Sequence, residues 1–178
     1  MGLFLLGASL EDNHHNTVKI EAGPCAGSGI PVKQGILTAA HVVLEDPEHI
    51  KVISIDGVSS DAILIELDLN NDLALLKVDK YFGEMEVAED TPEIGDPIYL
   101  VGNGLLIPNM YKKGYVSGFI SNLMLSDCMS LPGDSGCGVF NEDDELVGVH
   151  DCRIMGPEGQ DGFEGSIKLE IVKEFLED

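Results

Sequence analysis

The most constraining feature of this sequence is a recurrence of short runs that favour β-strands, separated by glycine, proline, asparagine and aspartate. β-Branched, leucine and aromatic residues dominate the runs, and the residues between them favour turns. This spacing is typical of an antiparallel sandwich or barrel. The predicted strands are Thr17–Glu21, Gly35–Thr38, Ile50–Ile55, Ala62–Glu66, Leu73–Val78, Pro97–Val101, Tyr115–Ile120, Gly138–Phe140, Leu146–Val149 and Gly162–Ile167.

One segment near the end of the chain has the periodicity of a helix. Within Ile167–Glu177, the apolar residues fall on one face and the charged residues on the other, which predicts a helix packed on the outside of the β core. The acidic stretch Glu84–Pro97 has the composition of a loop that connects two halves of one fold. The sequence therefore predicts a mostly β domain of ordinary size with a C-terminal helix.

The charge balance excludes several classes of partner. Among 178 residues, 10 Lys and Arg face 32 Asp and Glu, which gives a formal net charge of −22. Such a surface repels phosphate backbones and anionic membrane surfaces, so we expect no nucleic-acid partner and no membrane partner. No apolar run approaches the roughly 18–20 residues that span a bilayer.

The start of the chain and its cysteines suggest no secretion and no metal. Residues 1–12 contain an apolar stretch without a preceding basic residue, so we interpret them as a first strand or arm rather than a secretory signal. None of the four cysteines forms a C-x-x-C pair, and their spacing matches no common zinc site. We expect reduced, packed thiols at Cys25, Cys128, Cys137 and Cys152.

Three segments carry the residues of one nucleophilic chemistry. His41 ends the segment TAAH after a predicted strand, Asp72 opens the strand segment DLALLKV, and Ser135 lies between glycines in GDSG. Taken singly, these would be a packed histidine, a turn aspartate and a tight turn. Taken together, they match a known requirement: a serine hydroxyl needs an adjacent base, and an imidazole needs a carboxylate to fix its tautomer.

These motifs, in this order, resemble those of the chymotrypsin-like serine peptidases over about residues 17 to 178. The stretch 134–150 is similar to its equivalent in glutamyl endopeptidases and in trypsin-like proteases of RNA viruses and prokaryotes. The resemblance implies an all-β fold of two antiparallel six-stranded barrels with a C-terminal helix. It places His41 and Asp72 in a barrel over residues 1–90, and Ser135 in a second barrel over residues 91–178.

The resemblance also implies roles for these residues and predicts a serine endopeptidase. Ser135 would be the nucleophile, His41 the general base and then acid, and Asp72 the carboxylate that orients His41. The backbone N–H groups of Gly133 and Ser135 would form the oxyanion hole. No cofactor and no metal is expected.

A specificity pocket follows from the same resemblance. Ser130 and His150 match positions on its two walls, and Arg153 lies near the second wall. A histidine N–H and a hydroxyl donate to a carboxylate or amide oxygen and reject side chains that leave them unsatisfied. The sequence thus predicts a preference for Glu or Gln before the scissile bond, with a solvated loop position as the alternative for Arg153.

The chain departs from the family pattern in its cysteines and at Asp134. Relatives have a disulfide roughly where Cys128 and Cys152 lie, and a bridge between these two is left open. With one bridge at most, we expect a reducing compartment and a cytoplasmic location. Asp134 matches the residue that pairs with a new amino terminus in zymogens. No cleavage site is obvious, so we expect a pocket that forms without proteolytic activation or responds to a partner or substrate.

Two other functions compete with the peptidase. The first is a binding module that keeps the barrels without turnover, and the second is a thiol-dependent enzyme or metal site built on Cys137 or Cys152. The expected partner is a polypeptide substrate, including a viral or bacterial precursor protein.

Overall fold

The computed structural model describes residues 17–155, 159 and 162–177. Its first half is a closed antiparallel barrel with the strand order β1-β2-β3-β6-β5-β4. The elements are β1 (Val18–Ala22), β2 (Cys25–Val32), β3 (Gly35–Ala39), the short helix α1 (Ala40–Val43), β4 (Ile50–Ile53), β5 (Ser59–Asp68) and β6 (Leu73–Val78). The predicted arm at residues 1–12 lies outside the described residues.

The second half is another closed antiparallel barrel, with the order β10-β11-β12-β9-β8-β7. Its elements are β7 (Pro97–Gly102), a 3-10 turn (Gly104–Leu106), β8 (Met110–Ile120), β9 (Leu123–Ser126), β10 (Gly138–Phe140), β11 (Leu146–Ile154), β12 (Phe163–Lys168) and the helix α2 (Leu169–Glu177). The predicted all-β fold of two six-stranded barrels with a C-terminal helix is confirmed. The division at residue 90 stays a prediction, and the chain passes between the barrels in the segment 79–96.

Alternating burial explains why these segments are strands. In β1, Val18, Ile20 and Ala22 face the interior while the residues between them are partly exposed. Besides the apolar interior of each barrel, a further apolar cluster joins the two barrels. It contains Leu37 and Leu73 of the first barrel and Phe140 of the second. Helix α2 closes this shared cluster with its own buried apolar residues, as its amphipathic sequence predicts. Neither described helix is long and apolar enough to cross a membrane.

The structure contains two strands and one helix that the sequence did not predict. Strand β2 includes Gly27, Gly29 and Pro31, which are poor strand formers. Both glycines are required by packing, because a Cβ at Gly27 would lie 2.7 Å from Val42, and one at Gly29 would lie 2.7 Å from Ile20. Strand β9 and the one-turn helix α1 are too short to leave a periodic pattern.

Candidate active site

His41 lies in α1, directly after strand β3, and is fixed to Asp72 by its ring and its backbone. Its ring Nδ1 is 2.6 Å from Asp72 Oδ2, and its backbone N–H donates to Asp72 Oδ1 at 2.9 Å. The N–H of Ala40 donates to the Asp72 carbonyl at 3.0 Å. The strand pairing explains the proximity, because Ala39 pairs with Leu73 across β3 and β6.

Asp72 has an unusual backbone conformation that suits this contact. Its φ is 54°, in the left-handed region that aspartate tolerates better than most residues. Burial raises the pKa of Asp72, but the hydrogen bonds from His41 outweigh this effect and place the pKa below its ordinary value. The hydrogen bond to Asp72 in turn raises the pKa of His41, against the opposing effect of burial. The pair therefore favours an ionised carboxylate beside the imidazole.

Ser135 lies in a tight turn of the second barrel that packs against the first barrel. Its carbonyl accepts the N–H of Ser28 at 2.8 Å. Gly136 has a φ of 79°, and a Cβ there would lie 2.3 Å from Thr38 Oγ1 and 2.7 Å from the Ala39 nitrogen. Ala39 ends strand β3 and lies two residues before His41. This contact therefore brings the serine turn close to the start of the helix that contains the histidine.

The N–H groups of this turn divide into bonded and free ones. Those of Asp134, Gly136 and Cys137 donate to the carbonyls of Leu131, His150 and Asp134 at 2.8–2.9 Å. Those of Gly133 and Ser135 have no hydrogen-bond partner among the residues that the structure describes. Gly133 has a φ of 103°, and a Cβ there would lie 2.7 Å from the Asn103 carbonyl. Only glycine fits this position, and the two free donors are available to an anion.

Asp134 is a buried carboxylate with a lysine partner. Its side chain is completely buried; its Oδ2 is 2.5 Å from Lys112 Nζ and accepts the N–H of Leu131 at 2.7 Å. Its Oδ1 has no hydrogen-bond partner within the described part of the chain. Gly102 and Gly104 make room for it, since a Cβ on either would approach Asp134 Oδ1 to 2.5 and 3.0 Å. An internal ammonium group therefore neutralises the residue next to Ser135.

The three predicted pocket residues gather around a buried carboxylate, that of Glu164 in β12. Ser130 Oγ donates to Glu164 Oε2, and Arg153 Nε donates to Glu164 Oε1 at 3.0 Å. His150 Nε2 is 3.9 Å from Glu164 Oε2. Burial lowers the pKa of His150 to about 4, despite the nearby Glu164, so its ring is neutral near pH 7. The other ring nitrogen of His150, Nδ1, has no hydrogen-bond partner among the residues described in the structure.

Comparison with known proteins identifies the family of this chain. The family model for the trypsin-like peptidase domain matches residues 27–149. The chain belongs to this family. It is a trypsin-like serine protease domain, and the predicted membership of the chymotrypsin-like serine peptidases is confirmed. Closeness to glutamyl endopeptidases and viral proteases stays a prediction.

Individual relatives of this trypsin-like domain are longer than it. The serine endoprotease DegS of Escherichia coli K12 is 30% identical over 155 residues, which cover 79% of this chain and 42% of DegS. A probable periplasmic serine endoprotease DegP-like of Rhizobium meliloti is 28% identical over 163 residues, covering 85% and 32%. The crystal structure of the serine endoprotease from Yersinia pestis has a TM-score of 0.81 at 27% identity, covering 90% of this chain and 61% of that one.

The expected cytoplasmic location is contradicted by these relatives, one of which is named as periplasmic. All four cysteines are free, in agreement with the predicted reduced thiols, and Cys128 and Cys152 are not bridged. The inference from few disulfides to a cytoplasmic location was wrong, because two packed barrels of this size bury enough apolar surface to be stable without disulfides. Few cysteines therefore do not indicate a compartment.

The described thiols and acidic groups support neither a thiol-dependent enzyme nor a metal site. Cys137 is completely buried, which raises its thiol pKa well above the ordinary value, and burial raises the pKa of Cys152 to about 11. His41, Asp72 and Asp151 place polar atoms within 4.8 Å of one another. A cation there would have to displace the 2.6 Å bond between His41 and Asp72, so we assign no metal or cofactor to the group.

Sequence reasoning missed three residues that support the site. Ser28 donates its hydroxyl to the Gly133 carbonyl at 2.8 Å, Lys112 pairs with Asp134, and Glu164 accepts hydrogen bonds from Ser130 and Arg153. Each of them acts on a residue far away in the chain. No local pattern marks them, except that Lys112 is one of only 10 basic residues.

Proposed function

We propose that this domain hydrolyses peptide bonds with Ser135 as nucleophile, His41 as general base and acid, and Asp72 as the orienting carboxylate. The observation that carries the proposal is the double hydrogen bond between His41 and Asp72, at 2.6 and 2.9 Å, beside the packed serine turn. Because Asp72 accepts the Nδ1 proton, the lone pair of His41 is at Nε2, where a serine proton is accepted.

The reaction would proceed in two balanced halves. Ser135 Oγ attacks the substrate carbonyl while His41 takes its proton, and the N–H groups of Gly133 and Ser135 stabilise the resulting oxyanion. His41 then gives that proton to the leaving amine, which releases the first product and leaves an acyl group on Ser135. Water, deprotonated by His41, attacks the acyl group, and the proton returns to Ser135 when the acid is released.

Replacing the nucleophile tests this proposal. We expect Ser135→Ala to lower kcat on a peptide substrate by roughly 10⁶-fold while the protein remains folded. Ser117→Ala, an exposed serine on β8, is the matched control and should keep full activity. Labelling by a fluorophosphonate probe should be lost in Ser135→Ala only. A wild-type protein that is folded but neither labelled nor active would be the silent binding module instead.

We further propose that Ser130, His150 and Arg153 line the pocket for the residue before the scissile bond, with Gln preferred over Glu. The Ser130 hydroxyl and Arg153 Nε both donate to Glu164. Because Arg153 already pairs with Glu164 and His150 is neutral near pH 7, a second carboxylate placed near the buried Glu164 would be repelled. A neutral amide avoids this repulsion and provides an oxygen for the unpaired nitrogen of His150.

Matched peptides test the preference. In a set of peptides that differ only in the residue before the scissile bond, we expect the highest kcat/KM for Gln, a lower value for Glu, and lower values still for Lys and Phe. Glu164→Gln removes the buried negative charge and should raise the Glu-to-Gln ratio of kcat/KM by about tenfold, which is equivalent to about 1.4 kcal/mol. Faster cleavage after Lys or Phe would contradict the pocket assignment.

We propose polypeptides as the substrates, in line with the serine endoprotease relatives. A precursor protein of viral or bacterial origin stays a prediction, as does the absence of nucleic-acid and membrane partners.

A further inference from the structure

Asp151 occupies an irregular position in strand β11, next to the candidate site. His150 pairs with Ser166 of β12, and Cys152 pairs with Gly165, so the register skips Asp151. A residue skipped in this way forms a β-bulge, which turns its side chain out of the regular alternation. Bulges next to active sites commonly aim one side chain at a functional group.

The bulge brings the Asp151 carboxyl group to His41 and Asp72. Polar atoms of the three side chains lie within 4.8 Å of one another. Asp72 and Asp151 are both half-buried, so their mutual repulsion is incompletely screened. Two adjacent carboxylates avoid this repulsion when one of them keeps a proton, which then hydrogen-bonds to the other.

We propose that Asp151 is a positioning residue of this site: its carboxyl group supports Asp72 and tunes the charge that His41 experiences. The inference rests on the proposed function of His41 as the base. It assigns to Asp151 no contact with substrate and no covalent step.

The groups that face Asp151 determine its protonation. They are Asp72 at the start of β6, His41 in α1 and the neighbouring thiol of Cys152. Burial and then the contact with Asp72 raise the pKa of Asp151 to about 6, while Cys152 and His41 oppose this effect. Above that pH, the ionised Asp151 adds negative charge beside His41 and so favours its protonated form. The titrations of His41 and Asp151 are therefore coupled.

Nuclear magnetic resonance titration of His41 tests the proposal without needing activity. In a Ser135→Ala background, we expect Asp151→Asn to move the His41 titration midpoint to lower pH, because the variant lacks the added negative charge. Asp61→Asn, an exposed site on β5, is the control and should leave the midpoint unchanged. Asp151→Ser provides a second variant should the asparagine perturb the fold. An unchanged His41 midpoint in both folded variants would overturn the proposal.

The pH profile of the active enzyme separates this inference from the proposed function. We expect the acid limb of kcat/KM to move to lower pH in Asp151→Asn, while its plateau falls by less than the roughly 10²–10⁴-fold contribution of a general base. A wild type that is inactive, or whose activity does not depend on His41, would refute the proposed function. An enzyme that depends on His41 but whose pH profile of kcat/KM is unchanged by Asp151→Asn would refute only the role of Asp151.

Discussion

Asp134 lies in the serine turn, directly before Ser135, and Asp151 lies in strand β11, yet their environments are opposite. Asp134 is completely buried and pairs with Lys112 at 2.5 Å. Asp151 is half-buried and faces another carboxylate, that of Asp72. Asp134 has a cation beside it, whereas Asp151 faces a second carboxylate, and burial together with that carboxylate raises the pKa of Asp151.

The comparison has a physical basis in the cost of desolvation. A buried carboxylate is tolerated when a cation and hydrogen bonds replace the lost water, as Lys112 and the Leu131 N–H do for Asp134. A carboxylate without a cation reduces the cost by keeping its proton, which is why burial and Asp72 raise the pKa of Asp151 to about 6.

Removing the cation of the Asp134 pair should have the largest effect. Lys112→Met keeps most of the apolar side chain but leaves Asp134 buried without a counter-ion, which costs about 3–5 kcal/mol of stability. For a chain of this length, that corresponds to a decrease in Tm of roughly 6–20 °C. Because Asp134 precedes Ser135, we also expect reduced fluorophosphonate labelling. Differential scanning calorimetry and labelling measure the two effects.

Two controls sharpen that result. Lys113→Met alters the adjacent exposed lysine, whose contact with Glu142 spans 3.8 Å, and should leave Tm unchanged. The double variant Lys112→Met with Asp134→Asn removes both charges and should recover part of the lost stability. If Lys112→Met were as stable as the wild type, the ion pair between Lys112 and Asp134 would not contribute to stability, and the contrast with Asp151 would not hold.

The second, smaller effect concerns the pH dependence of stability. Folding raises the pKa of Asp151 from 3.8 to about 6, so between these values the folded state binds more protons than the unfolded state. Stability from this group is therefore complete below pH 3.8 and is lost as pH rises through 6. Asp151→Asn should abolish that loss and be more stable than the wild type by about 1 kcal/mol at pH 7, a value reduced for solvent screening.

Urea unfolding at pH 4 and at pH 7 measures this difference. The two proteins should have similar free energies of unfolding at pH 4 and diverge at pH 7, with the variant higher. A variant that is less stable than the wild type at pH 7 would mean that the ionised Asp151 has a stabilising partner, and the contrast with Asp134 would not hold.

Much of the fold and the centre of the candidate site could be predicted from the sequence. Ten of the strands leave a local pattern, and the segments around His41, Asp72 and Ser135 are recognisable by residue type and order. Strand β2 could not be predicted, because its glycines are required by contacts with Val42 and Ile20 rather than by local preference. The candidate pocket was predicted only as separate residues, since the contacts of Glu164 with Ser130 and Arg153 join residues that are remote in the chain and leave no local pattern.

The sequence alone determined the periodicity of the strands, the strong negative charge and the chemical identity of the candidate triad, because these follow from residue counts and from short local motifs. Only the tertiary structure decided that Asp134 pairs with Lys112, that Asp151 lies near Asp72, and that Glu164 contacts the predicted pocket residues. The physical reason is that electrostatic energies depend on distance and burial, and both are set by packing between residues that are remote in sequence.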